Sequence, residues 1–224
     1  MKTALFDTWT EKYDSWFETP TGQYVRKYEL AMLLKMLAPM EGDLILDAGC
    51  GTGVFTRDVI NQGAEIIGMD ISAPMLAKGA RQMRGIRFSG VCGDMCALPF
   101  SDNSFDRVYS MTAIEFIPDA VLAMNELNRV AKIGACIVVT TLNSLSPWAE
   151  RRIKKAKQGH SLFESIIFRS PDDMRLLIPE KSIVKTAIHF QKDEPVDNIA
   201  KIEEAGNIQQ LETGAFLAAQ WVKK

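Results

Sequence analysis

The chain has 224 residues, of which 47% are hydrophobic and 24% are charged, and its formal net charge is −2. This length fits one domain, and the hydrophobic fraction is high enough for a sizeable core, which argues against disorder. The balanced charge and the lack of a basic tail give no argument for a nucleic-acid partner.

The N-terminal region lacks the apolar central segment of a signal peptide, and no stretch reaches the ~20 apolar residues of a membrane span. We therefore expect a cytoplasmic location. In that compartment the four cysteines, Cys50, Cys92, Cys96 and Cys136, stay reduced. Cys92 and Cys96 lie four residues apart with no histidine nearby, so we expect small buried side chains and no metal site.

Residues 1–40 are predicted to form an N-terminal helical lid. Aromatic residues recur there at spacings of three and four, which places them on one face of one or two short helices: Phe6, Trp9, Tyr13, Trp16 and Phe17. A break is expected at residues 19–22, and an amphipathic helix over residues 24–37. The aromatic face has two interpretations, core packing and closure over a ligand.

Strands and helices alternate through residues 41–141, the predicted core. The predicted strands are Leu44–Ala48, Glu65–Asp70, 86–91, Phe105–Ser110 and 135–141. The predicted helices are 54–62, one capped by Ser72, and Ala120–Val130. This alternation implies a parallel sheet with helices on both faces.

The pattern changes after residue 141. Residues 142–170 are predicted to form an insertion over the edge of the sheet. Their basic run at 151–157 indicates a solvated helix face, an acidic acceptor or a quinone substrate at a membrane surface. Residues 171–224 are expected to contain a helix capped by Ser170 and two strands, over 182–190 and 214–222. The whole chain, 1–224, is thus predicted as a single domain.

Glycines occupy alternate positions directly after the first strand, in the stretch LILDAGCGTG. Such a loop lets a ligand touch backbone N–H groups at the start of the next helix. The spacing Gly49-x-Gly51-x-Gly53 is tighter than the G-x-G-x-x-G of dinucleotide sites, and Asp47 precedes it. A carboxylate there repels a diphosphate and attracts an ammonium group, so the loop suits a cationic, amino-acid-like ligand.

Two further acids follow the next two strands. Asp70 stands where an acid can accept both hydroxyls of a ribose, and Asp94 could accept from an adenine amino group. An ammonium-bearing tail, a ribose and an adenine occur together in S-adenosylmethionine. The competing interpretation is an ordinary tight turn flanked by surface carboxylates.

Three successive motifs carry a resemblance to a known family: LILDAGCGTG, IIGMDIS and GDMCALPFSDNSFDRVYSMTAIEFIPD. They resemble the class I S-adenosylmethionine-dependent methyltransferases, and within them the small "type 11" group, which includes quinone-pathway enzymes. The resemblance covers residues 24–141, and the tail GAFLAAQWVKK resembles the last strand of that fold. It implies an α/β, Rossmann-like three-layer sandwich whose seven-stranded sheet is mostly parallel, with the last strand antiparallel.

The resemblance also implies cofactor-binding roles. The methionine end is expected on Asp47, Gly49, Gly51 and Gly53, the ribose on Asp70, and the adenine on Asp94, Met95, Ile71 and Met75. Met111 and Thr112 would lie beneath the methionine moiety, and Tyr13 and Tyr24 would close over the cofactor. Cys50 belongs to the loop as a small residue and is not expected to be reactive.

The methyl acceptor is expected above the ends of the fourth and fifth strands, under the insertion. That position brings in Glu115, Phe116 and Asn143, with Trp16 or Phe17 from the lid. Glu115 and His160 are the candidates for a catalytic base, although Glu115 is equally interpreted as a surface or helix-start carboxylate. His189, within an apolar stretch, is interpreted as a satisfied sheet residue.

The leading hypothesis is therefore transfer of a methyl group from S-adenosylmethionine to a small, hydrophobic or aromatic molecule, by in-line displacement. The alternatives are an NAD-dependent oxidoreductase, a cofactor-binding protein without transfer activity and, on account of the cysteines, a metalloid methyltransferase. The sequence leaves open the acceptor atom, the need for a base, and the choice between monomer and homodimer.

Overall fold

The computed structural model describes residues 5–7, 9–159 and 161–224, which contain a seven-stranded sheet covered by helices on both faces. The strands are β1 Leu44–Ala48, β2 Glu65–Asp70, β3 Phe88–Cys92, β4 Phe105–Ser110, β5 Ala131–Leu142, β6 Ile183–Ala187 and β7 Phe216–Val222. The α-helices are α1 Thr10–Glu18, α2 Pro20–Leu37, α3 Thr56–Ile60, α4 Ala73–Gln82, α5 Ala120–Val130, α6 Pro147–Ala156, α7 Ser161–Glu164, α8 Pro171–Leu177 and α9 Val196–Ile208. A short 3-10 helix, Ile114–Phe116, follows β4.

The strand order is β3-β2-β1-β4-β5-β7-β6. The first five strands are parallel, whereas β7 runs antiparallel between β5 and β6. The chain runs outward from β1 through β2 to β3 and then returns to place β4 on the other side of β1. Ligands of open α/β sheets bind at such a switch point, beyond the carboxyl ends of the strands.

Two apolar cores fill the space between the sheet and its helices. One core packs α5 and α8 against the sheet, and the other packs α2, α3 and α9 against the opposite face. The inner strands contribute to both cores because successive side chains point to opposite faces. Within the described residues, no helix combines the length and the apolar character that a bilayer span requires.

Helix caps fix where several chain segments turn away from the sheet. Ser72 accepts a hydrogen bond from the backbone N–H of Met75 and begins α4, as predicted. Ser170 and Asp173 form a reciprocal capping box at α8, also at the predicted place.

Other predicted bounds are wrong. The helix after the glycine loop is limited to Thr56–Ile60, β3 begins at Phe88, and β5 begins at Ala131. The expected break at residues 19–22 is confined to Thr19, because Pro20 occupies the first turn of α2 and Thr19 caps it. The helix α9 was not predicted at all.

Candidate functional site

The glycine turn after β1 brings bare backbone to the carboxyl edge of the sheet. Gly49, Gly51 and Gly53 have φ values of 80°, 55° and 81°, in the left-handed region that favours glycine. A Cβ built on Gly49 would lie 2.5 Å from the Cβ of Ala113. The backbone conformation and the close packing therefore both favour glycine over residues with a Cβ in this turn. The exposed backbone N–H groups of such a turn can bind a ligand.

Asp47 lies below this turn and is 2% exposed. Its Oδ2 accepts hydrogen bonds from the Thr56 hydroxyl and the Tyr109 hydroxyl, each at 2.6 Å. Its Oδ1 is buried and has no hydrogen-bond partner among the described residues. Burial raises the pKa of Asp47 to about 7, against the opposing effect of the two hydroxyl donors. The unpaired acceptor atom suits an ammonium group.

Asp70 ends β2 and ties the glycine turn to α4. One carboxylate oxygen accepts from the backbone N–H of Gly51 and the other from that of Ser72, both at 2.8 Å. Each oxygen retains a further lone pair, so the carboxylate can still receive two hydroxyl groups. Its position beside the turn is suited to the ribose of a nucleoside.

A cavity of about 270 Å³ opens at this edge, near the lower end of the range typical of small-molecule sites, roughly 300–1,000 Å³. Predicted site residues that line it are Tyr13, Gly49, Gly51, Asp70, Ile71, Met75, Asp94, Met95, Met111, Thr112 and Phe116. An adjoining smaller recess is lined by Asp47 and Cys50, together with Tyr13, Gly49 and Met111. The structure thus brings the predicted ammonium, ribose and adenine positions to one continuous surface.

The adenine end of this surface has apolar walls and one exposed acid. Met75 and Met95 are buried, whereas Ile71 is 61% exposed at the rim of the cavity. The Asp94 carboxylate accepts from the backbone N–H of Cys96 at 2.8 Å, which fixes the turn after β3. The predicted adenine position therefore combines apolar side chains with one carboxylate.

Thr112 carries backbone strain at the opposite end of the cavity. Its φ is 45°, an outlier for a β-branched residue. The Thr140 hydroxyl accepts from the Thr112 backbone N–H at 2.9 Å and helps hold this conformation. Such strain is concentrated at ligand sites, where the surrounding structure compensates for it.

The helix α1 lies across the glycine turn through polar contacts. The Thr52 hydroxyl donates to Asp14 at 2.5 Å, and the Ser72 hydroxyl donates to Asp7 at 2.7 Å. Lys78 of α4 forms ion pairs with Glu11 and Asp14. These contacts place Tyr13 of α1 over the cavity.

Several predicted site residues lie outside the lining of the cavity. Phe17 packs edge-on against Phe55, and Trp16 packs against Trp148 of α6. Tyr24 packs into the second core, and a Cβ on Gly53 would lie 2.5 Å from the Met83 methyl group. The aromatic stripe of the N-terminal region is therefore divided, because Phe6 and Tyr13 line the cavity whereas Trp16 and Phe17 pack against other aromatic rings.

Asn143 is fully buried and its side chain has structural partners. The amide nitrogen donates to the carbonyl oxygens of Glu212 and Gly214, and the amide oxygen accepts from the backbone N–H of Leu145. Glu115 is also buried and lies beside Tyr13 outside the cavity lining, so it is not a surface carboxylate. It does stand in the first turn of the 3-10 helix, as the alternative interpretation as a helix-start carboxylate holds. His160 lies outside the described residues.

Sequence reasoning missed other lining residues: Phe6, Met69, Gly93, Cys96, Ala113, Ile117 and Pro118. Phe6 belongs to the N-terminal aromatic stripe, so its spacing was an available signal. The others come from strand ends and loops whose side chains carry no distinctive chemistry. Proximity in the fold, and not sequence pattern, brings them to the cavity.

The four cysteines are free, and the prediction that Cys92 and Cys96 are buried is wrong. Cys92 is exposed because β3 is an edge strand, and Cys96 is partly exposed at the cavity. Burial, together with Asp47 and Asp70, raises the pKa of the Cys50 thiol, which disfavours a reactive thiolate. In the described part of the chain, no group of three or more ligand-type side chains is placed to hold a metal ion.

Two other interpretations need correction. His189 follows β6 and packs against Gly206 of α9, and neither ring nitrogen has a hydrogen-bond partner among the described residues. It is therefore not a satisfied sheet residue. Arg152, within the basic run, has a guanidinium group stacked at 5.4 Å over Trp148, so this residue does not belong to a solvated face.

Comparisons with known proteins agree with this geometry. Residues 46–139 match the family model described as a methyltransferase domain. The demethylmenaquinone methyltransferase of Beutenbergia cavernae is 32% identical over 146 residues, which are 65% of this chain and 59% of that protein. The malonyl-[acyl-carrier protein] O-methyltransferase of Pseudescherichia vulneris is 32% identical over 141 residues, with 63% and 53% coverage. The chain thus spans somewhat more than half the length of these relatives.

A solved structure from Thermotoga maritima has the same architecture. It is described as an S-adenosylmethionine-dependent methyltransferase and possible histamine N-methyltransferase. The TM-score is 0.74 at 23% identity, with 98% of each chain covered. This likeness confirms the predicted fold class.

Proposed function

We propose that the chain, whose residues 46–139 match the family model of a methyltransferase domain, transfers a methyl group from S-adenosylmethionine to a small acceptor with an apolar or aromatic body. The observation that carries the proposal is the unpaired Oδ1 of buried Asp47 beside the glycine turn. This atom provides a site for the ammonium group of the cofactor and disfavours a diphosphate. The match of residues 46–139 supports the same assignment.

The chemistry requires alignment more than covalent help from the protein. The sulfonium of the cofactor supplies an already activated methyl group. The Asp47 carboxylate and the Gly49–Gly53 turn hold the amino-acid end, and Asp70 holds the ribose. Fixing nucleophile, carbon and sulfur in one line can supply roughly 7–11 kcal/mol of the barrier.

The apolar character of the acceptor is inferred from the walls next to Thr112. Phe6 and Phe116 pack edge-to-face with ring centroids 4.8 Å apart, and Tyr13 lies 6.4 Å from Phe6. All three rings line the cavity. They exclude water from the position where the methyl group moves, and they suit an aromatic or aliphatic acceptor body.

The proposal is tested first by calorimetric titration of the purified chain. We expect S-adenosylhomocysteine to bind and NAD⁺ not to bind at about 0.1 mM, within the usual range of KM values. Binding of NAD⁺ alone would support the oxidoreductase alternative. The second step is incubation with a metabolite extract and methyl-labelled S-adenosylmethionine. Label in a small molecule supports transfer, whereas bound cofactor with no labelled product would support a binding-only protein.

A further inference from the structure

Three buried polar residues and the partly buried Arg152 lie outside the lining of the cavity, and two of them, Glu29 and Glu115, lie near Tyr13. They are Glu29 of α2, Glu115 of the 3-10 helix, Thr141 of β5 and Arg152 of α6, and we refer to them as the polar cluster. Burial raises the pKa of Tyr13, and the charges of Glu29 and Glu115 raise it further. Tyr13 also lines the cavity, so the proposed cofactor site and the two acids share this residue as a neighbour.

Three atoms of the polar cluster are buried without a hydrogen-bond partner in the described part of the chain: Glu115 Oε2, Thr141 Oγ1 and Arg152 Nη1. Glu115 is 1% exposed and Thr141 is 0% exposed. Thr141 lies close enough to Glu115 to lower its pKa, but its hydroxyl is in hydrogen-bonding geometry with no described group. Buried polar atoms of proteins are normally paired, so three unpaired atoms on neighbouring residues call for a ligand.

The charged groups of the polar cluster are not paired with one another. Among the described residues, Arg152 forms no ion pair with Glu29 or Glu115 and lies instead over the Trp148 ring. Both acids are nonetheless near enough to oppose the lowering of the Arg152 pKa that burial causes. A ligand bound between Glu115 and Arg152 would face a hydrogen-bond acceptor on Glu115 and a donor on Arg152.

We propose that the polar cluster binds the reacting end of the methyl acceptor, and that this acceptor is a small amine carrying a hydrogen-bond acceptor next to its nitrogen. This inference rests on the proposed function. The unpaired Oε2 of Glu115 is a hydrogen-bond acceptor, which suits an ammonium donor and not a second carboxylate. The amine N–H groups bind Glu115 and Thr141, and the neighbouring oxygen or nitrogen accepts from Arg152.

The transfer then balances as follows. The ammonium form of the substrate gives one proton to the Glu115 carboxylate, and the freed nitrogen lone pair attacks the methyl carbon. The N–C bond forms while the S–C bond breaks, and its electron pair stays on sulfur, which becomes a thioether. The products are an N-methylammonium ion and S-adenosylhomocysteine, with the proton later released from Glu115 to water.

The electrostatic surroundings support Glu115 as this base. Burial raises the pKa of Glu115 to about 7, against the opposing charges of Arg152 and Arg169. Glu29 lies on the facing helix α2, and burial raises its pKa to about 8. The phenol of Tyr13 also faces Glu115. A base with a pKa near neutral is suited to proton transfer at physiological pH.

Because the polar cluster does not line the cavity or its adjoining recess, the acceptor reaches it only when α1 and Tyr13 move. Such a movement breaks the partly buried contact of Asp14 with Thr52 and the ion pairs of Lys78 with Glu11 and Asp14. Displacement of Tyr13 would also bring the polar cluster next to the reacting methyl group.

The atom that is methylated gives the most direct test. The chain is incubated with a metabolite extract and S-adenosylmethionine labelled with ¹³C in its methyl group, and the product is characterised by proton–carbon NMR. We expect a methyl resonance on nitrogen. A product methylated on oxygen or carbon would overturn this inference and leave the proposed function standing. Failure of the chain to bind S-adenosylhomocysteine would overturn both.

Matched variants separate binding from structure. With the amine identified, we expect Glu115→Gln to lower kcat about 100-fold or more while the affinity for S-adenosylhomocysteine is unchanged. Arg152→Met should raise KM for the amine about tenfold or more, and its exposed neighbour Arg151→Met should not. The amine should also change Trp148 fluorescence in the wild type, because Arg152 stacks on that ring.

Thr141 distinguishes a ligand role from a purely structural one. Thr141→Val removes an unpaired buried hydroxyl, so the variant should be at least as stable as the wild type. We expect it nevertheless to raise KM for the amine severalfold, and Thr141→Ser to retain the wild-type value. A stable Thr141→Val variant with unchanged KM, or Glu115→Gln with unchanged kcat, would overturn the assignment of this cluster.

Discussion

Replacement of Asp47 by asparagine should weaken cofactor binding while reducing the loss of stability at alkaline pH. The side chain keeps its shape, so an acceptor for the Thr56 and Tyr109 hydroxyls remains. The charge opposite the ammonium group is lost. A hydrogen bond between charged groups contributes about 1.5–3 kcal/mol, which corresponds to an affinity for S-adenosylhomocysteine about 10- to 150-fold weaker.

The pKa of Asp47 sets the pH dependence of stability. Its rise from the ordinary 3.8 to about 7 corresponds to at most roughly 4 kcal/mol of stability, which is fully present below pH 4 and lost as pH rises through 7. About 3 kcal/mol of that loss falls between pH 5 and pH 8. The asparagine of the variant does not titrate, so the unfolding free energy of Asp47→Asn should fall less over this range.

Binding should show the opposite trend in the wild type. The ammonium group requires the ionised carboxylate, and deprotonation of Asp47 is unfavourable below pH 7. The affinity for S-adenosylhomocysteine should therefore increase about tenfold between pH 6 and pH 8 in the wild type and remain nearly constant in Asp47→Asn.

The assays are calorimetric titration and urea unfolding at three pH values. Asp43→Asn is the matched control, because Asp43 precedes the other end of β1 and pairs with Arg107 away from the cavity. It should lower stability without changing affinity. An Asp47→Asn variant that binds S-adenosylhomocysteine as tightly as the wild type would refute the reasoning.

Three further predictions concern the walls of the site. Tyr13→Phe should weaken S-adenosylhomocysteine binding about two- to tenfold, in line with one lost hydrogen bond, and an unchanged calorimetric affinity would remove Tyr13 from the site. Gly49→Ala should abolish measurable binding of S-adenosylhomocysteine, because the new Cβ would lie 2.5 Å from the side chain of Ala113. Gly42→Ala is the control: Gly42 has a similar φ but open space around it, so this variant should only lower stability. Equal affinities of the two variants for S-adenosylhomocysteine would contradict the close-approach argument. Lys78→Met should speed chymotrypsin cleavage within α1, with Lys132→Met as the control on another surface ion pair, and equal cleavage rates would show that the Lys78 contacts do not hold α1.

The central part of the sheet was predictable because its signals are local. The bounds of β1, β2, β4 and α5 agree with the sequence patterns, since each is an apolar or periodic run with a turn or cap residue at its end. The glycine turn and its acids lie within a few residues of one strand. A single short stretch therefore carries both the conformation and the charge that the site requires.

Helix α9 could not be predicted because tertiary contacts stabilise it. Its carboxylate Glu203 is 1% exposed and accepts from the backbone N–H groups of Ile188 and His189. Sequence patterns place glutamate on the solvent side of a helix, so this segment lacks the usual amphipathic signal. The first residues of β5 were missed for a similar reason, because Ala131 pairs with Phe105 across an irregular register.

The polar cluster shows the same limit within the functional region. Glu29 and Arg152 lie on helices far apart in sequence, where charged residues normally indicate an exposed face. Only the fold brings them beside Glu115. The glycine turn was found by pattern because it is contiguous, whereas the proposed acceptor site required the arrangement of four separate elements.

A crystal structure of the chain with S-adenosylhomocysteine tests the central claim most directly. The account predicts that the ammonium nitrogen lies within hydrogen-bonding distance of Asp47 Oδ1, and that the ribose hydroxyls lie on Asp70. A complex in which a different group, such as a diphosphate, occupies the glycine turn, or in which the nucleoside lies away from both carboxylates, would contradict it.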